Sequence, residues 1–256
     1  MPSPPADPPE NLCLFGDSHL GCLKLALSAD LVDRRGLEIE FWGADGPYFR
    51  QLRLKDGAIR PDSGAVERVE LVNGRGRKHL CASDFHAILF MGARLRVGEF
   101  LAPFVERMRE DNGYLSRAVA RRLAGRWLNK TRSYRYAKEM AKTGGATILY
   151  FPTPLLTEGA IDSGPTLAKV EHPKDALIPG FGWDSLCAAA RGDGISLIRQ
   201  PEMTTTVGLH TLSQYGCDHY RALNDPVHKN AAFGAIVLDH AIALLDAGAA
   251  THPAGR

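Results

Sequence analysis

The sequence has no long apolar run: nothing in its 256 residues approaches the roughly 18 consecutive apolar positions of a membrane-spanning helix. It also lacks an excess of charge of either sign. Thirty-one Lys and Arg stand against 29 Asp and Glu, a net charge of +2, so no polyanionic partner is implied and nucleic acid is not expected. Cysteine is scarce and scattered. Cys13, Cys22, Cys81, Cys187 and Cys217 form no C-x-x-C pair, which argues against a disulfide framework or a zinc ribbon and for reduced thiols in a cytoplasmic protein. No G-x-x-x-x-G-K-[ST] phosphate loop and no dinucleotide fingerprint is present, so no nucleotide cofactor is expected. His210, His219 and His240 have no ligand spacing to other His, Cys or carboxylates, so no metal is expected either. Asp239 and His240 are adjacent on a helical stretch and point apart, which makes them a poor pair. The opening decapeptide, with five prolines between Met1 and Glu10, has neither the basic nor the apolar region of a signal peptide and reads as a disordered leader.

What the sequence does have is a series of short strand patterns: most are apolar runs stopped by Gly or Pro, and Leu37–Trp42 alternates apolar and charged residues before Gly43. Residues 11–16, Leu37–Trp42, Phe85–Met91 (ending at Gly92), Thr147–Phe151 (stopped by Pro152) and Ile195–Arg199 read as strands. Helical patterns fall at 19–30, 98–110, 115–142 (two helices), 182–191 and 229–245. Lys55-Asp56-Gly57 predicts a hairpin turn, and Val66–Val72 a further short strand. Residues 155–178, rich in Gly, Pro and charge, read as a loop or lid. Strands alternating with helices predict a parallel sheet covered on both faces, with one domain over 11–247 and a flexible tail over 248–256. In such sheets ligands bind beyond the carboxyl ends of the strands. Ser18, Gly43 to Gly46, Gly92 and Pro152 all follow strands and are expected on that one edge.

Between Arg117 and Lys142 nine cations face a single acid, Glu139, with Trp127, Tyr134 and Tyr136 interleaved. A solvated helical face accounts for this pattern; a site for phosphate, acyl-CoA or acidic glycan, or a nucleic-acid surface, is the sharper alternative. The near-neutral chain speaks against nucleic acid.

Two short motifs carry chemistry. Gly16-Asp17-Ser18 closes the first strand run and opens a helix, where a serine is exposed and backbone N–H groups gather partial positive charge. A serine there can attack a carbonyl and help hold the oxyanion; the plainer alternative is a turn and N-cap. Asn224-Asp225-Pro226-Val227-His228 precedes the last helix. An Asp three residues before a His can turn its carboxylate onto Nδ1 and leave Nε2 free for a serine; the alternative is an Asp-Pro turn with an incidental His. His19 follows the serine and is expected to line the pocket or cap the helix.

Taken in order, Gly16-Asp17-Ser18, Asp225-x-x-His228 and the continuation Lys229-Asn230-Ala231-Ala232-Phe233-Gly234 resemble the SGNH (GDSL-like) hydrolase superfamily. The resemblance implies a three-layer, flavodoxin-like α/β fold with a five-stranded parallel sheet, here with a basic helical insertion and a lid. It further implies a cofactor-free serine esterase in which Ser18, His228 and Asp225 are nucleophile, base and orienter. The substrate would be a small-molecule or carbohydrate ester carrying a short acyl group such as acetyl. The family's oxyanion hole adds a Gly after the second strand, for which Gly46 is the candidate and Gly43 the fallback, to the N–H of Ser18. It also uses an Asn after the third strand, and there this chain departs: Gly92-Ala93-Arg94-Leu95 puts Arg94 in the Asn position. Gly43, Gly92 and His19 are expected around the pocket. Two alternatives stay open: acyl transfer to a sugar hydroxyl by the same residues, and a catalytically weak SGNH-like binding module.

Overall fold

A computed structural model describes residues 10–110, 114–159, 177–206 and 210–251. In chain order the elements are β1 (Asn11–Gly16), α1 (Leu20–Ser28), β2 (Glu38–Gly43), β3 (Leu52–Lys55), β4 (Ala58–Pro61), α2 (Val66–Asn73), β5 (Leu80–Cys81) and β6 (Ala87–Gly92). There follow α3 (Gly98–Glu110), α4 (Arg117–Leu128), α5 (Arg132–Thr143), β7 (Thr147–Pro152), α6 (Leu177–Gly192), β8 (Ser196–Leu197) and α7 (Ala231–Thr251).

The fold is α/β. Five parallel strands form a sheet in the order β2-β1-β6-β7-β8, and β3-β4-β5 form a small antiparallel sheet around the Asp56-Gly57 turn. The central strands β1, β6 and β7 are apolar because both of their faces are covered; the edge strand β2 keeps Glu38 and Glu40. Cys13, Phe15, Ile88, Phe90, Ile148 and Tyr150 point into one core, shared with α3 to α6 and the hairpin. Their alternates Leu12, Leu14, Leu89, Met91, Leu149 and Phe151 point into the other, shared with α1 and α7. The chain runs from β1 outward to β2 and then crosses back to β6 on the other side of β1. Strand order therefore reverses between β1 and β6, and the crevice at their carboxyl ends is the expected ligand position.

Val66–Asn73 is a helix, not a strand. Its β-branched residues favour extended structure, but Val69 and Asn73 recur at helical spacing on the buried side. Gly74, at φ +63°, closes the helix, its N–H bonding the Glu70 carbonyl at 2.8 Å. The last strand is shorter than its apolar run, spanning only Ser196–Leu197. The final helix begins two residues later than expected and extends to Thr251. Most of the stretch read as a lid (160–176), the leader (1–9) and the end of the tail (252–256) lie outside the described residues.

On α4 and α5 the aromatics turn inward and most of the cations outward. Tyr134 is fully buried, Trp127 and Tyr136 pack on the core, and Arg121, Arg122, Arg126, Lys130 and Arg135 are exposed. Among the described residues no helix is long and apolar enough to cross a membrane.

Candidate active site

β1 ends at Gly16, a position where only glycine fits: a Cβ would lie 2.3 Å from the carbonyl oxygen of Met91 on β6. The chain then turns through Asp17 and Ser18 into α1. The Asp17 carboxylate accepts the His19 N–H at 3.2 Å, and the Leu20 N–H bonds the Asp17 carbonyl at 3.0 Å. Ser18 is left exposed at the head of the helix.

From the other end of the chain, the turn ahead of α7 brings His228 to this serine. His228 Nε2 is 2.9 Å from Ser18 Oγ, and Nδ1 is 2.7 Å from Asp225 Oδ2. The other carboxylate oxygen, Asp225 Oδ1, accepts the N–H groups of Val227 at 3.0 Å and His228 at 3.1 Å. Partial burial pushes the Asp225 carboxyl up. The hydrogen bond from the His228 ring and the two backbone N–H groups outweigh that and hold it below its ordinary value. The carboxylate therefore stays ionised and fixes the imidazole tautomer with the proton on Nδ1. Ser18, His228 and Asp225 form one hydrogen-bonded chain across 210 residues of sequence.

The turn is braced from beneath by Lys229, a residue the sequence did not single out. It is 4% exposed, and its Nζ donates to the carbonyls of Pro226 at 2.8 Å and Val227 at 2.9 Å. Burial pulls the ammonium down to about 8, against the opposing pull of Cys22, Asp225 and Cys217. An isolated Lys at a helix start normally reads as exposed, so nothing in the sequence marked it.

A cavity of about 700 Å³ opens beside the serine. Its wall includes Ser18, His19, Gly46 and Arg94, together with Arg96, Glu99 and Ala102 from the β6–α3 connection and α3, Leu155 and Leu156 after β7, and His210. Gly46, at φ +48°, takes a left-handed conformation that glycine adopts freely. The Arg94 guanidinium reaches it, Nη2 donating to the Gly46 carbonyl at 2.5 Å. His19 is 6% exposed with its ring 5.7 Å from that of His228, and burial lowers its pKa to about 4. It lines the cavity as a neutral ring and makes no side-chain cap.

Gly43 and Gly92, expected at the pocket, are not in this wall. A Cβ on Gly43 would lie 2.0 Å from the Gly16 carbonyl oxygen, and one on Gly92 2.4 Å from the His19 ring. Both are packed glycines that let neighbouring segments approach. Position at a strand end does not by itself separate such a glycine from one that faces a ligand.

Among the described residues no group of three His, Cys, Asp or Glu side chains could hold a metal ion. Chemically, the arrangement offers a hydroxyl hydrogen-bonded to an oriented imidazole, beside a largely apolar cavity with cationic groups. Comparison with family models, with curated proteins and with solved structures finds no match to this chain.

Proposed function

We propose that the protein is a serine esterase of SGNH type, with the flavodoxin-like arrangement that goes with that superfamily. The observation that carries the proposal is the unbroken chain Ser18 Oγ–His228 Nε2, 2.9 Å, and His228 Nδ1–Asp225, 2.7 Å, at the edge of a cavity. Ser18 Oγ attacks the ester carbonyl carbon while His228 Nε2 takes its proton. The tetrahedral oxyanion is held by the N–H groups of Ser18 and Gly46. Arg94 assists by bracing the Gly46 carbonyl, and its cation favours negative charge nearby. Collapse expels the alkoxide, which leaves with the proton from His228. Water, deprotonated by the same nitrogen, then attacks acyl-Ser18 and releases the carboxylic acid. Asp225 stays ionised throughout and stabilises the imidazolium. A reducing, cytoplasmic setting belongs to the same reading and is supported by five unpaired thiols.

A fluorophosphonate probe tests the assignment. Mass spectrometry should find the adduct on Ser18, and Ser18→Ala should abolish both labelling and turnover of short p-nitrophenyl esters. Neither labelling nor turnover in the wild-type protein would overturn it.

A further inference from the structure

Arg94 is placed at some cost. Ala93 and Arg94 sit at φ +44° and +62°, left-handed conformations that are unfavourable for non-glycine residues. Buried groups from distant elements pin this turn. The Ala93 carbonyl accepts the Ser133 hydroxyl and, at 3.4 Å, the Tyr150 hydroxyl, which lies 2.9 Å from Ser133 Oγ. Leu95 N–H bonds the Gly92 carbonyl at 2.9 Å, and Thr153 N–H bonds the Leu95 carbonyl at 2.9 Å.

The guanidinium so delivered to the cavity wall has no carboxylate in ion-pair range among the described residues. Its Nη2 is on the Gly46 carbonyl, and its Nε is buried with no acceptor. The neighbouring charges are mostly of its own sign: Arg50, Arg96 and Arg132, against Asp17. Half-buried cations normally carry a counter-charge. Arg96 already leans toward Glu99, at 3.6 Å, so among the described residues Arg94 is the cation of this wall left without a carboxylate. Glu99 and Glu106 on α3 line the same cavity and turn an anion away from that wall. Ala102, Pro103, Leu155, Leu156 and Val227 supply apolar surface between, which suits a short hydrocarbon spacer and not a polyanion.

We infer that the cavity takes an ester bearing one carboxylate, separated from the scissile bond by a short apolar spacer and seated on Arg94. This rests on the esterase reading for the reaction, though not for the binding. The chemistry matches the substitution: a guanidinium binds a carboxylate through charge-assisted hydrogen bonds.

The test has a kinetic and a binding arm. In the first, p-nitrophenyl hydrogen succinate is compared with its methyl ester, which is neutral and nearly the same shape. Wild-type kcat/KM should favour the anion by about tenfold or more, the yield of one charge-assisted hydrogen bond. The ratio should fall to about one in Arg94→Gln, with part of it kept in Arg94→Lys. In the second, calorimetry on Ser18→Ala compares phenylbutyrate with phenylbutyramide. The carboxylate should bind about tenfold tighter or more, and the added Arg94→Gln should erase the difference. Equal kinetics or equal binding of the charged and neutral members in protein with Arg94 intact overturns the inference, as does a preference that survives Arg94→Gln. Should Arg94→Gln not fold, the intact-Arg94 comparison and Arg94→Lys still decide. No turnover of any ester, with the binding preference present, overturns the esterase and leaves the carboxylate site standing.

Discussion

Replacing Gly92 with Ala tests how tightly the strand ends hold Ser18. Gly92 closes β6 at φ +67°, a region that costs an L-residue about 1–2 kcal/mol. The added methyl would also stand 2.4 Å from His19 Cδ2 and 2.9 Å from Asp17 Oδ1. Neither can step aside freely. The His19 ring is 6% exposed and lies against the His228 ring, while Asp17 Oδ1 accepts the His19 N–H. Overpacking of this kind costs about 1–3 kcal/mol, so the total is about 2–5 kcal/mol. Gly36→Ala isolates the backbone part: Gly36 is at φ +79° with nothing within 4 Å of a Cβ, and should cost only about 1–2 kcal/mol. Urea unfolding measures both.

The second readout is chemical. Asp17 and His19 flank Ser18, so the clash shifts the serine relative to His228, now 2.9 Å away. A displacement on the order of 1 Å lowers the rate about a hundredfold, seen in p-nitrophenyl ester turnover or in the rate of fluorophosphonate labelling. Gly36→Ala should leave that rate unchanged. If Gly92→Ala is no less stable than Gly36→Ala, or reacts at the wild-type rate, the crowding argument is wrong.

Lys229→Met removes both hydrogen bonds beneath the Asp225–His228 turn; kcat should drop by about tenfold at constant KM as the imidazole loses its support, and an unchanged kcat would refute the bracing role. His19, held neutral near 4 by burial against an ordinary 6.5, binds its proton more readily when unfolded. Stability is therefore full above about pH 6.5 and falls as pH drops toward 4, by about 3 kcal/mol in total; urea unfolding across this range should show that loss shrunken in His19→Asn. Gly234→Ala places a Cβ 2.1 Å from the Cys22 carbonyl oxygen, forcing α1 and α7 apart, so it should cost about 1–3 kcal/mol and slow fluorophosphonate labelling; normal labelling would separate the site from this helix contact.

The central strands β1, β6 and β7 were legible because each is a continuous apolar run cut by Gly or Pro, a pattern set locally, and β2 through the alternation of Glu38 and Glu40 with Ile39 and Phe41. Val66–Val72 misled because β-branched residues signal strands by propensity, while its outcome was decided by burial of Val69 and Asn73 on one helical side. The Ser18–His228–Asp225 chain could be anticipated from residue types, spacing and order. Its distances could not, since the partners are separated by 210 residues. The setting of Arg94 was invisible for the same reason: its turn is held by Ser133 and Tyr150, 40 and 57 residues beyond Ala93. Lys229 was missed because sequence gives no sign that a lysine is buried.

The site is assembled from two separately supported halves. Ser18 lies just before α1 and His228 just before α7, and those helices pack together where Gly234 lets the α7 backbone meet the Cys22 carbonyl. Their core is the one containing Leu12, Leu14 and Phe233. Arg94, Leu155 and the start of α3 come from connections whose anchors, Ala93, Leu95, Val97 and Leu101, belong to the opposite core. Ser18 and His228, the proposed nucleophile and base, are thus set by packing on one face of the sheet, and Arg94 and the cavity wall around it by packing on the other. The close approach of α1 and α7 at Cys22 and Gly234 lies apart from Arg94, whose guanidinium is on the Gly46 carbonyl. On the proposed esterase reading, that division lets Arg94 stand at the proposed oxyanion position beside an intact 2.9 Å serine–histidine contact, and it places the expected difference in which ester is taken before whether any ester is cleaved.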